Sequence, residues 1–158
     1  MHRVMKLLRD RSGANMLEAA IVAPLLFLLT LGIVDFASLF YAYLALENGV
    51  SIATRFAVTG NTLTNPQNGQ VMSRTDSIKQ AMRDATPTLT IPDAYFTFQH
   101  MAPGTGNWVG GVGGPNEIEK VTIDYTWDLL TPLIRPFFTN GQIHLVVDST
   151  MKNEGRFQ

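Results

Sequence analysis

Two carboxylates, Glu18 and Asp35, stand in an otherwise uncharged apolar run, and Glu18 lies five positions after Gly13. Charged side chains in a membrane-length apolar segment are costly and usually have a task. Other residue groups invite chemistry without having its spacing. Glycines 104, 106, 110, 111, 113 and 114 suggest a phosphate-binding loop. The G-x-G-x-x-G pattern is met from no starting position, no Gly-Lys-Ser/Thr follows, and the stretch opens no helix, so a mobile loop is the better reading. His2, His100 and His144 lack the paired spacing of zinc sites, and without cysteine there are no thiolate ligands or disulfides. No G-x-S-x-G nucleophile turn occurs. Trp108 and Trp127, with Phe96, Phe98 and Tyr125, could form a stacking surface, although such residues more often build the core of a sheet. The sequence nominates no catalytic residue, cofactor, metal site or small-molecule substrate, and the expectation is a protein that is not an enzyme.

The elements that position the two carboxylates follow from charge and hydropathy. A chain of 158 residues suits one domain and an appendage, and its net charge of −1 gives no basic bias toward nucleic acid. Charge is unevenly placed, however. Residues 1–13 hold Arg3, Lys6, Arg9 and Arg11 against Asp10 alone, whereas Ala14 to Val50 contains only Glu18, Asp35 and Glu47. The run Ala19 to Val34 is uncharged and continues past Asp35 to Leu46. A spanning helix needs about 20 apolar residues, and basic flanks stay in the cytoplasm. The expectation is one membrane helix over about residues 17–44, N-terminus inside, with Asp35 a membrane-interface charge near the outer boundary. A cleaved secretory signal is disfavoured, because the run continues into aromatic residues and no small-x-small site follows. Glu18 by itself also fits an acid near a helix N-terminus, favoured by the macrodipole.

Helical periodicity extends beyond the membrane segment. Phe36, Phe40, Tyr43, Leu46, Val50, Ala53 and Ala57 recur every three or four residues, predicting a shared apolar face. Gly60-Asn61 supplies the first stop. A helix from Ala14 to Val58 would be about 67 Å long, roughly twice a bilayer core, so its distal half must lay its stripe on something else. Pro24 predicts a kink near Ala20–Pro24. Residues 60–73 read as a surface loop. Ser73 caps a predicted helix from Arg74 to Ala85, ended by Thr86-Pro87. Strands are predicted at Tyr95 to Gln99, Val121 to Leu129 and Ile143 to Met151. The glycine-rich stretch 103–116 is read as too flexible for regular structure, and Asn140-Gly141 as a tight hairpin turn. The fold class expected is α+β, with the distal half of the long helix covering one face of a small antiparallel sheet and one extra short helix beside it.

The grouping of basic leader, Gly13, four residues, Glu18 and long apolar run resembles the processing signature of type IV pilins. Residues 17–60, "LEAAIVAPLLFLLTLGIVDFASLFYAYLALENGVSIATRFAVTG", resemble the TadE/TadG-like minor pilins or pseudopilins of tight-adherence (Tad, type IVc) pili. The core "VAPLLFLLTLGIVDF" and the later "ATRFAVTG" carry the likeness most strongly. The closing "STMKNEGRF" is similar more weakly. One departure is Ala19, where this pilus class often has an aromatic residue after the glutamate.

That resemblance implies a pilin-like fold with a cytoplasmic leader at 1–13, a long helix at 14–59 and a periplasmic globular domain at 60–158. It implies a cut by a prepilin peptidase between Gly13 and Ala14, which makes Glu18 the fifth residue of the mature chain and an assembly contact. The implied partners are other pilin and minor pilin subunits, the peptidase and the inner-membrane assembly platform. The implied location is the bacterial inner membrane, with possible incorporation into the extracellular pilus. The alternative is an uncleaved single-pass protein whose periplasmic domain binds or scaffolds within a secretion apparatus.

Overall fold

The computed structural model describes residues 11–157, with side chains from residue 13. The expected leader, including Arg3, Lys6 and Arg9, therefore lies essentially outside the described residues. The chain begins with one helix, α1 (Arg11–Val58). The helical path passes without a break through Pro24. Its end matches the expected stop: Gly60 takes a positive φ of 71° and its N–H bonds to Ala57 O at 3.1 Å. A Cβ on Gly60 would stand 2.1 Å from Phe157, so the C-terminal segment closes over this cap only because the residue is glycine.

A second helix, α2 (Arg74–Ala85), begins at the expected cap, with Ser73 Oγ accepting from Asp76 N. Four antiparallel strands follow: β1 (Phe96–Met101), β2 (Val109–Gly110), β3 (Ile118–Asp128) and β4 (Gln142–Lys152). Their order in the sheet is β2-β1-β3-β4. The glycine-rich stretch was expected to be irregular throughout. It instead contributes β2, because Gln99 and His100 of β1 pair with Gly110 and Val109. A ladder partner compensates for the poor strand propensity of glycine. β3 and β4 pair along their whole length, from Ile118 with Lys152 to Asp128 with Gln142.

Alternation along the strands sorts the faces. Glu119, Val121 and Ile123 of β3, with Leu145 and Val147 of β4, are buried, whereas Asp124, His144, Val146 and Asp148 point outward. Ala42, Leu46, Val50, Ala53 and Ala57 of α1, with Ile78 and Met82 of α2, join the same core. Phe96 is buried in it, and Phe98, Tyr125 and Trp127 pack against it, so these aromatics are core residues. Trp108 lies apart and is exposed.

The distal half of α1 covers the sheet as expected, but through a different stripe. Leu46, Val50, Ala53 and Ala57 are buried, while Phe36, Phe40 and Tyr43 are exposed. At 3.6 residues per turn, Phe36 and Phe40 lie about 80° and 120° around the helix from Leu46, whereas Leu39 and Ala42 lie within about 40° of it. Gly49 lets the two helices approach closely, since a Cβ there would stand 2.5 Å from Thr86 Cγ2.

Candidate functional site

The proximal half of α1 is stripped of protein contact. Every residue from Gly13 to Thr30 is exposed on all sides of the helix. The helix from Gly13 to Val58 is long and apolar enough to cross a membrane. Uniform apolar exposure over such a length is the mark of a segment that meets lipid or other helices. Gly13 and Glu18 both lie on this bare part. A Cβ added to Gly13 would meet nothing within 4 Å. Glu18 is exposed and forms no ion pair or side-chain hydrogen bond among the described residues.

Asp35 is different. It is 1% exposed, and its carboxylate receives the backbone N–H of Leu130 at 2.7 Å and of Thr131 at 3.2 Å, together with the Thr131 hydroxyl. The sequence offered only a charge at a membrane boundary. Folding turns that charge into the anchor for the β3–β4 loop, residues 129–141, which lies about one hundred positions further along the chain. Two apolar contacts complete the clamp. Ile134 is nearly buried, its Cδ1 standing 3.6 Å from where a Cβ on Gly32 would lie, and Leu129 is 2% exposed. A Cβ at position 32 would meet the loop at an ordinary van der Waals distance, so the packing there does not depend on glycine. The expected turn at Asn140-Gly141 forms at the end of this loop, with φ of 57° and 67°.

β3 runs back along α1, and polar links at its two ends tie the sheet to the helix. At the far end Glu119 is wholly buried, and its Oε2 accepts from Arg74 Nη2 at 2.8 Å, Gly113 N at 3.2 Å and Asn153 Nδ2 at 3.3 Å. Arg74 also donates to Ala57 O at 2.9 Å and to Gly113 O, and its guanidinium lies 4.3 Å from the Phe157 ring centre. One cluster therefore joins the end of α1, the start of α2, the glycine-rich stretch and the C-terminal segment. Its members form a structural hub, in which Arg74 Nε, Glu119 Oε1 and Asn153 Oδ1 are buried without a hydrogen-bond partner among the described residues. Sequence reasoning missed it because Arg74, Gly113, Glu119 and Asn153 share no local pattern.

The other residues considered for chemistry remain dispersed. His100 Nδ1 lies 3.0 Å from Gly111 O, while His144 lies at the outer face beside Asp124 at 3.2 Å. His2 lies outside the described residues. The six glycines do not gather around one cavity: Gly113 and Gly114 serve the polar hub, and Gly104 and Gly106 have open space beside them.

Residues 13–55 match the family model described as TadE-like protein. Over that part of the helix, well under half of the chain, the sequence is similar to this family. The match begins at Gly13 and takes in the bare half of α1, Glu18, Asp35 and most of the face that packs on the sheet. It ends before α2 and the strands, so the C-terminal stretch with the weaker likeness lies outside it. No curated protein and no solved structure matches the chain. The TadE-like segment therefore supplies the bare helix and the Asp35 clamp together, and the α+β domain is built onto its distal half.

Proposed function

We propose that this TadE-like protein is a minor pilin, or pseudopilin, that takes part in priming or capping a Tad-type pilus used for surface adhesion. The observation that carries this reading is the extent of apolar surface on α1. A bilayer core covers about 20 residues. Exposed apolar side chains extend from Met16 through Val34 and onward through Phe36, Phe40, Tyr41 and Leu44 on the side away from the sheet. Packing against the helices of other pilin subunits covers both parts, since lipid tails cover only the first.

Gly13 and Glu18 support the same reading. Glycine within a helix is about 1 kcal/mol less favourable than alanine, and the fold has no steric need for it at position 13. Recognition by a prepilin peptidase supplies the need. Cleavage before Ala14 creates an α-amine in an apolar environment, where an unpaired charge costs several kcal/mol. Glu18 of a neighbouring subunit is the complementary partner for that amine. The protein then resides in the bacterial inner membrane with its N-terminus in the cytoplasm and residues 60–158 in the periplasm. The assembly platform extracts it, and loops 60–73 and 103–116 face further partners.

The test is the mass of the mature chain made in the presence of the cognate peptidase. A chain beginning at Ala14 is the expected result, and an intact Met1 overturns the processing role. Glu18→Ala is expected to insert in the membrane normally but to abolish pilus incorporation. A second reading, an uncleaved anchored scaffold, is favoured by the Asp35 clamp, which fixes the domain on its helix without any partner. It requires an uncut N-terminus.

A further inference from the structure

We propose that the β3–β4 loop, over residues 129–138, is itself seated in the membrane leaflet on the side of the globular domain, with Leu130, Leu133 and Phe137 in the acyl-chain boundary. This rests on the reading of α1 as membrane-spanning and adds to it a second, non-helical point of contact with the bilayer.

The axial position of the loop is the first argument. Ile134 lies against Gly32 and the backbone of Leu130 and Thr131 is held by Asp35. From Glu18 to Gly32 the helix rises about 21 Å, and to Asp35 about 26 Å, at 1.5 Å per residue. A hydrocarbon core of about 30 Å that begins at Glu18 ends near residue 38. The loop then lies about 5–9 Å below the boundary, the depth at which interfacial apolar segments settle. At that level an isolated spanning helix, before assembly, is surrounded by lipid.

The loop's surface and backbone supply independent arguments. Leu130, Leu133 and Phe137 are 57%, 53% and 78% exposed, so its apolar side chains turn away from the protein. Irregular backbone at membrane depth is tolerated only where its polar groups are satisfied within the protein. Here Leu129 N bonds to Gly141 O, and Leu130 and Thr131 N bond to Asp35. Ile134 and Arg135 N bond to Thr131 O, Phe137 N to Ile134 O, and Phe138 N to Arg135 O. Pro132 and Pro136 have no N–H to satisfy. Leu133 has an N–H without an acceptor, and the carbonyls of Leu130, Pro132, Leu133, Pro136 and Phe137 have no donor among the described residues. These groups must therefore face the hydrated side of the boundary while the three apolar side chains face the acyl chains. Asp35 is suited to this position because a carboxylate there is surrounded by donors instead of facing hydrocarbon.

The absence of cysteine allows a direct test on the full chain. Single variants Phe137→Cys, Leu29→Cys and Val71→Cys are labelled with an environment-sensitive NBD fluorophore and placed in phosphatidylethanolamine–phosphatidylglycerol vesicles. All three sites are highly exposed, so labelling leaves the core intact. Lipids carrying a nitroxide either high on the acyl chain or near its end are then added in parallel. A label at position 137 about 5–10 Å below the interface is expected to lose roughly half of its emission to the shallow nitroxide. The label at 29, near the bilayer centre at about 16 Å from Glu18, is expected to lose roughly half to the deep one, while that at 71 loses little to either. Quenching at 29 with no more loss at 137 than at 71 overturns the loop proposal and leaves the spanning helix standing. Absence of quenching at 29 overturns the spanning reading and the proposal with it. A blue-shifted label at 137 that resists lipid quenching but responds to protein density identifies a second copy as the cover, which also overturns it.

Discussion

Replacing Asp35 by alanine isolates the contact between the globular domain and the proximal part of α1. The carboxylate holds Leu130 N at 2.7 Å, Thr131 N at 3.2 Å and the Thr131 hydroxyl, and it is 1% exposed. Hydrogen bonds to a charged group are worth about 1.5–3 kcal/mol each, and they do not add in full when donors share one acceptor group. Removing the carboxylate leaves those donors without an acceptor, at a cost of about 1–3 kcal/mol each. The loss is local. Leu129 and Ile134 still pack, and Val121, Ile123 and Val147 stay buried in a separate cluster. At about 1.4 kcal/mol per decade, the amides of Leu130 and Thr131 are expected to exchange roughly 100- to 1000-fold faster. Hydrogen exchange on the full chain in lipid nanodiscs reads this residue by residue. Asp35→Asn keeps one acceptor oxygen and is expected to lose about 1–2 kcal/mol. Two results would refute the reasoning: exchange at 130 and 131 within threefold of wild type, or an equal loss of protection at Val121 and Ile123. The first denies the clamp, and the second makes Asp35 a determinant of global folding.

Two further perturbations address the rest of the domain. Glu119→Ala leaves the Arg74 guanidinium, 16% exposed, without its buried carboxylate and removes the acceptor for Gly113 and Asn153. A destabilisation of about 3–5 kcal/mol in chemical unfolding is expected, with new proteolytic cleavage in residues 110–114; unchanged stability sinks the hub. Asp93 receives Arg83 and Lys79, whose hydrogen bonds hold its pKa below the ordinary carboxylate value, Arg83 contributing most. A depressed folded-state pKa stabilises the fold above the unfolded value and loses that effect as pH falls through the folded one. Asp93→Asn is therefore expected to melt slightly lower than wild type at neutral pH, with the gap closing below about pH 4. The gap is small because Asp93 is exposed. A gap that widens toward acid pH contradicts the pairing.

Local rules account for most of the elements. The helix capped by Ser73, the stop at Gly60, the three longer strands and the turn at Asn140-Gly141 each follow from a periodicity or a backbone preference carried by a few neighbouring residues. The bare apolar helix was legible for the same reason, and so was the need for its distal half to cover a sheet. The spacing of Gly13 and Glu18 was legible because both stand within one short contiguous stretch, and the processing proposed for it would act on that stretch alone.

Contacts between distant parts of the chain were settled only by folding. Phe36, Phe40 and Leu46 all fit a helical repeat, and the choice of buried stripe depended on where α2 and the sheet approach. β2 exists because β1 offers it a ladder, against the preference of its own glycine-rich sequence. Arg74 and Glu119 are 45 positions apart, and Asp35 is 95 from Leu130. Residue types announce that such groups need partners, since a buried charge must be compensated. The particular partner is fixed by the strand register and the reach of a loop, which only the tertiary structure decides.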